Sequence, residues 1–145
     1  MNESRVWQTL KQGIGQWALT TRIETSTGNG VPDVVVHLPG KHAFIEIKYL
    51  AEWPKRPTTK VVCPLRPEQR LWLFTRGKFS GNCWVFIRIN DDFFLLPWDV
   101  AIHMHDKGFT KEEWYKYPFC WHNSVNWEEF RKILKGGDHE QEQIR

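Results

Sequence analysis

The sequence predicts an α/β domain in which a central mixed sheet is flanked by helices, and three observations carry that expectation. Apolar residues recur at helical spacing over residues 3–13 and again over 66–78. Between and after these stretches lie runs rich in Val, Ile, Phe and Leu, bounded by Gly, Pro, Asn and Asp. With 145 residues, 41% of them hydrophobic and 26% charged, the chain is long enough for one domain with a real core.

The elements follow in order. ESRVWQTLKQG (3–13) sets Val6, Leu10 and Trp7 on one face, with Asn2 as N-cap and Gly13 as a stop, and predicts a first helix. WALTTRIE (17–24) alternates with β-branched residues and predicts a strand, followed by the turn-rich TSTGNG. PDVVVHL (32–38) and AFIEIKYL (43–50) predict two more strands, paired as a hairpin through a turn at 39–42. AEWPKRPTTK (51–60) carries prolines and bases that bar regular structure, so a loop is expected. RPEQRLWLFTRGK (66–78) has Pro67 in its first turn, Leu71, Phe74 and Trp72 as its apolar face, and Gly77 as its end. NCWVFIRI (82–89) and FFLLPW (93–98) read as strands around a turn at 90–92. VAIHMHDKG, KEEWYKY and NWEEFRKIL read as short helices. Residues 1–135 are expected to form one domain with a helical C-terminal third, and 136–145 a polar tail.

Composition excludes several classes. No apolar run approaches the ~18 residues of a membrane span. The N-terminus lacks the basic start, apolar stretch and small-residue cleavage site of a secretory leader, so an intracellular, cytoplasmic location is expected. Three cysteines without CxxC spacing suggest buried thiols, not a disulfide framework or a zinc knuckle. A net charge of +3 decides little, but Lys55, Arg56, Lys60, Arg66, Arg70, Arg76 and Lys78 crowd the middle of the chain and mark a candidate phosphate-facing surface.

The informative charges are Asp33, Glu46 and Lys48, because they interrupt runs that otherwise ask for burial. An unpaired charge in a core is costly enough that such groups are usually paired, neutralised or bound to metal. Strand side chains alternate faces, so Glu46 and Lys48 project from the same side. With a turn at 39–42, Asp33 reaches Glu46 only if the strands curve or bulge. Two converging carboxylates repel, and a hard divalent cation such as Mg²⁺, with Mn²⁺ as its substitute, resolves the conflict by taking oxygens from both. Such an ion activates water and neutralises charge on a phosphoryl oxygen, and Lys48 is placed to hold that water or that phosphate.

Pro32-Asp33 followed by Glu46-Ile47-Lys48 resembles the core signature of the PD-(D/E)XK nuclease superfamily. The wider text, GVPDVVVHLPGKHAFIEIKYL and then LRPEQRLWL, is similar to the VRR-NUC branch and to phage-encoded, stand-alone resolvase-like nucleases. In that branch a glycine precedes the PD, the second strand ends in ExK, and a helix bearing a Gln follows; Gly30, Glu46 with Lys48, and Gln69 match these positions. The resemblance covers roughly residues 3–100 and implies a restriction-endonuclease-like core. It also implies a Mg²⁺-dependent endonuclease on branched DNA such as Holliday junctions, a homodimer, and a bacterial or phage-infected host cell. An acid from the first helix is implied as well. Glu3 fits that position, with Glu24 as its rival, and the Ile47 carbonyl is a further candidate ligand. Gln69 corresponds to the helix Gln that contacts the site. The alternatives are a flap or restriction-like nuclease and a nucleic-acid-binding module without catalysis.

Lys55, Arg56, Lys60, Arg66 and Arg70 are the candidate backbone contacts, and Trp53, among prolines and bases, is a candidate for stacking on an unpaired base. His103-x-His105 and Cys120-x-His122 resemble fragments of a metal site, but without supporting context they read as surface or core residues. The nine tryptophans and nine phenylalanines are expected mainly in the core.

Overall fold

The computed structural model describes residues 2–15, 17–23, 30 and 32–136. Helix α1 (Glu3–Ile14) begins where Asn2 accepts the Arg5 N–H through its side chain, and buries Val6, Trp7, Leu10 and Ile14. Gly13 is not its stop. A Cβ there would lie 1.9 Å from the Trp127 ring, so the glycine admits a neighbouring indole, and Gly15, at φ 54°, ends the helix instead.

One sheet of six strands follows the chain order: β1 (Leu19–Arg22), β2 (Val34–Leu38), β3 (Lys41–Leu50), β4 (Cys83–Ile89), β5 (Asp92–Pro97) and β6 (Cys120–His122). Among the described strands only β3 and β4 run parallel. The connection between them needs a crossover, supplied by the 51–66 loop and α2 (Pro67–Ser80). Helices α3 (Trp98–Lys107), α4 (Lys111–Tyr115) and α5 (Trp127–Lys135) complete the fold. This is the α/β architecture expected from the sequence, with β6 in addition. Three residues are too few to show alternation, and β6 exists because Trp121 and Cys120 pair with Phe93 and Phe94 of β5.

The sheet separates two cores. Ala43, Ile45 and Ile47 of β3 pack with Phe86, Phe93 and Leu95 under α1 and α5. On the opposite face Val85, Ile87, Phe94 and Leu96 pack with Leu73, Met104 and Trp114, joined by Phe44 and Leu50. The intervening residues Glu46 and Lys48 therefore project on the α2 side.

Helix α2 departs from its expected face. Leu71 and Phe74 are 63% and 44% exposed, and the buried stripe is Gln69, Leu73 and Gly77. These positions are four apart and share one helix face, yet two of them are not apolar, which hides the stripe from a hydropathy pattern. Gly77 lies inside the helix, where a Cβ would sit 2.2 Å from Trp98, and Gly81, at φ 68°, terminates it. No helix among the described residues is long and apolar enough to cross a membrane.

Candidate active site

The β2–β3 hairpin sets the geometry. Leu38 pairs with Lys41 and Val34 with Ile45, so the turn is Pro39–Gly40 and not the longer 39–42 turn expected. That change moves the register by two residues, from Lys48 to Glu46 opposite Asp33. One step past Val34–Ile45 puts Asp33 across from Glu46, where directly opposed side chains share a face, so no bulge is required. At this point β2 leaves the ladder, and the Ile47 N–H that faces it donates instead to Asp33 Oδ2 at 2.9 Å. The Asp33 carbonyl accepts from Ile23 N at 2.7 Å, holding the residue to the chain just past β1. Asp33 is thus fixed by both neighbours.

Glu46 and Lys48 are 2% and 7% exposed, with Lys48 Nζ 3.6 Å from Glu46 Oε2. Gln69, also buried, donates through Nε2 to Glu46 Oε2 at 2.9 Å, while its Oε1 accepts from Arg66 N at 2.9 Å. Both ends of the amide are used, so the first turn of α2 is locked to the carboxyl group. Gly30 helps bring that turn in. It adopts φ +82°, and a Cβ would lie 2.1 Å from the Glu68 carbonyl oxygen, so only glycine lets the segment before Asp33 pass this close to α2.

The electrostatics follow from burial. Desolvation, reinforced by the charge of Asp33 and a hydrogen bond with it, pushes the Glu46 carboxyl up to about 9 despite the opposing Lys48 ammonium. Glu46 therefore holds a proton near neutrality when no cation is present. Two carboxyl groups face to face, one of them neutral only through desolvation and its neighbour's charge, form a donor set suited to a hard divalent cation. Glu3 lies at the start of α1, and its carboxyl is also raised, first by burial and then by Asp33, with Lys48 opposing. It shares the field of the site. Among the described residues no group of three or more His, Cys, Asp or Glu side chains comes together to hold a metal, and the two carboxyl groups that meet are Asp33 and Glu46. Glu24 lies outside the described residues.

The surrounding candidates separate into committed and available groups. Lys55, Arg56 and Lys60 are exposed on the 51–60 loop. Arg66 is exposed and 3.4 Å from Glu68, whereas Arg70 is held in a bidentate pair with Asp106 at 2.8 and 2.6 Å. Trp53 is partly buried against Phe94, Trp114 and Tyr115, and its indole N–H donates to Asp92 at 2.8 Å, so it anchors the base of the loop. Asp92 was not singled out in the sequence. A carboxylate in a turn reads as a solvated charge, and nothing local announces its distant partners.

The paired His and Cys fragments have separate structural tasks. His105 Nδ1 is 2.8 Å from the Cys63 carbonyl and His122 Nδ1 is 2.6 Å from Asp92. Cys63 is buried, its thiol pushed up to about 12 by desolvation, in a segment close enough for it to feel Lys48 and Glu46.

No family model matches the chain, and no curated protein does. Among solved structures, the chain is similar to the Holliday junction resolvase Hjc of the archaeal hyperthermophile Archaeoglobus fulgidus. The match is at 15% identity and covers 81% of this chain and 98% of that one, with a TM-score of 0.47.

Proposed function

We propose that this protein is a divalent-metal-dependent endonuclease that hydrolyses DNA phosphodiester bonds, with branched DNA as its substrate. The observation that carries the reading is the pair of Asp33, one residue ahead of β2, and Glu46 on β3, whose carboxyl groups meet, with Lys48 3.6 Å from the Glu46 carboxyl. Mg²⁺, or Mn²⁺ in its place, would be held by Asp33 and Glu46, with the Ile47 carbonyl as a further donor and Glu24 as the candidate third acid, while Glu3 would act on the site through its charge. Bound there, the ion supplies water activation and neutralises charge developing on the phosphoryl oxygens.

The chain's own groups do the rest. Gln69 and the Arg66 N–H fix the orientation of the Glu46 carboxyl, and the Ile47 N–H fixes that of Asp33. Lys48, restrained by Glu46, presents its ammonium to the attacked phosphate and offsets the repulsion between an acidic site and an anionic substrate. Lys55, Arg56 and Lys60 hold the backbone through charge, without reading sequence.

The preference for junctions rests on the resemblance of the PD and ExK segments. A four-way junction needs two cuts, and a symmetric homodimer would supply them. The test is a panel of labelled junction, flap, single-stranded and linear duplex DNA, incubated with Mg²⁺ and either wild type or Lys48→Ala. The proposal expects junction cutting by wild type and, on the order of an oxyanion-hole donor's loss, roughly a hundredfold slower cutting by the variant, with binding retained. Cutting of flaps or linear duplex alone replaces the substrate, and equal cutting by Lys48→Ala removes the mechanism.

A further inference from the structure

Away from the carboxylate pair, a second cluster of titratable groups surrounds Asp92. This residue is 7% exposed, at the start of β5. Its Oδ2 accepts from Trp53 Nε1 at 2.8 Å and the Tyr115 hydroxyl at 2.6 Å, and its Oδ1 faces His122 Nδ1 at 2.6 Å. Burial pushes the Asp92 carboxyl up, but the hydrogen bonds from Tyr115, His122 and Trp53 together hold it below the usual carboxylate range. An ionised carboxylate only accepts, so Nδ1 carries a proton. The His122 side chain is 59% exposed, leaving Nε2 as the ring nitrogen that can meet a ligand. Lys111 sets its ammonium 5.6 Å from the centres of both the Trp53 and Tyr115 rings, so a cation is held on the same cluster.

The cluster is aligned with the candidate active site. Asp92 pairs with Ile89, which pairs with Leu50, so it lies at the end of β3 that Glu46 and Lys48 approach. It alternates with Phe93 and shares the face of Phe94 and Leu96, the face from which Glu46 and Lys48 also project. Two strand spacings and four residues along the strand separate Asp92 from Glu46 by about 16 Å, roughly five base steps of duplex. Between them runs the start of the 51–60 loop, which carries Lys55 and Arg56 and is anchored on Asp92 through Trp53. Trp53 and Tyr115 suffice to tie that loop to β5 and α4. The imidazole and the ammonium strengthen that tie and are also exposed, so beyond it they suit an anionic strand.

We infer that His122, aimed by Asp92, and Lys111 form a second phosphate contact, gripping the nucleic-acid backbone a few nucleotides from the Asp33–Glu46 pair. The inference rests on the nuclease reading. His122 donates to a phosphate through Nε2 when the ring carries a proton on both nitrogens, Nδ1 facing Asp92. The titratable and charged groups around the ring are Asp92 on β5, Tyr115 and Lys111 on α4, Cys120 on its own strand, and Asp91 in the β4–β5 turn, paired with Arg88.

The test is fluorescence anisotropy with labelled four-way junction and duplex DNA in Ca²⁺, at pH 6.0 across a salt series, using wild type, His122→Gln and Lys111→Gln. At pH 6.0 each variant should bind roughly fivefold more weakly, with the slope of log K against log salt reduced by about one. Both side chains are exposed, and thermal melting checks that each variant is folded. Wild-type affinity and salt slope in both variants at pH 6.0 would overturn the inference and leave the nuclease reading standing. A wild-type protein that binds no nucleic acid would overturn both.

Discussion

Replacing Glu46 by Gln separates the cost of the site from its use. In the metal-free protein the Glu46 carboxyl titrates near 9 against an ordinary 4.5, driven by desolvation and by Asp33. Its folded value is raised, so its contribution to stability is present in full below about 4.5 and is lost as pH rises towards 9, because the unfolded chain releases a proton that the folded one retains. Within that window the loss is up to about 1.4 kcal/mol per pH unit. The amide introduced by Glu46→Gln would mimic the neutral acid, accepting from Gln69 through its carbonyl and donating to Asp33 through its NH₂, and it does not titrate. Urea unfolding followed by tryptophan fluorescence in a chelator, at intervals from pH 5 to 8, should show the variant gaining on wild type by up to about 1.4 kcal/mol per unit. Adding Mg²⁺ at about a hundred times its dissociation constant should raise wild type alone by about 2.7 kcal/mol. Parallel stability curves for the two proteins across the pH range would refute the assignment of a buried, neutral Glu46.

Gln69→Ala strands both the Arg66 N–H and one oxygen of Glu46, and should lower stability by about 1–3 kcal/mol. It should also slow cleavage more than it weakens DNA binding, read from single-turnover rates beside anisotropy. Gly30→Ala forces a side chain into a left-handed backbone and into the Glu68 carbonyl, so it should destabilise by more than about 1 kcal/mol. It should also slow cleavage by pushing the first turn of α2 away from Glu46, whereas Gly40→Ala, at φ +78° but with nothing within 4 Å, should leave the rate unchanged.

Charges placed in apolar strands were the most legible feature. Alternation alone put Glu46 and Lys48 on one face, and the cost of burying them asked for partners that Gln69 and Asp33 provide. The register was not legible, because it depends on whether the chain reverses over two residues or four, and Pro-Gly-Lys-His admits both. That difference of two residues decides whether Asp33 faces Glu46 or Lys48. The buried face of α2 departs from its hydropathy pattern for a related reason. Gln69 is buried because a carboxyl group waits for it, and Gly77 because Trp98 fills the space beside it; both are decided by residues far away in sequence. Asp92 belongs with these, since its partners Trp53, Tyr115 and His122 come from a loop, a helix and a strand that the sequence does not visibly connect.

The central claim is that Asp33 and Glu46 together hold one divalent cation. Calorimetric titration of Mn²⁺ into wild type and Asp33→Asn at pH 7.5, in buffers of different ionisation enthalpy, tests it directly, since the substituted amide keeps an acceptor for the Ile47 N–H while removing the charge. The account predicts one saturable site per chain in wild type, with release of about one proton from Glu46 on binding, and no such site in the variant. Uptake of equal strength by Asp33→Asn, or none by wild type, would contradict it.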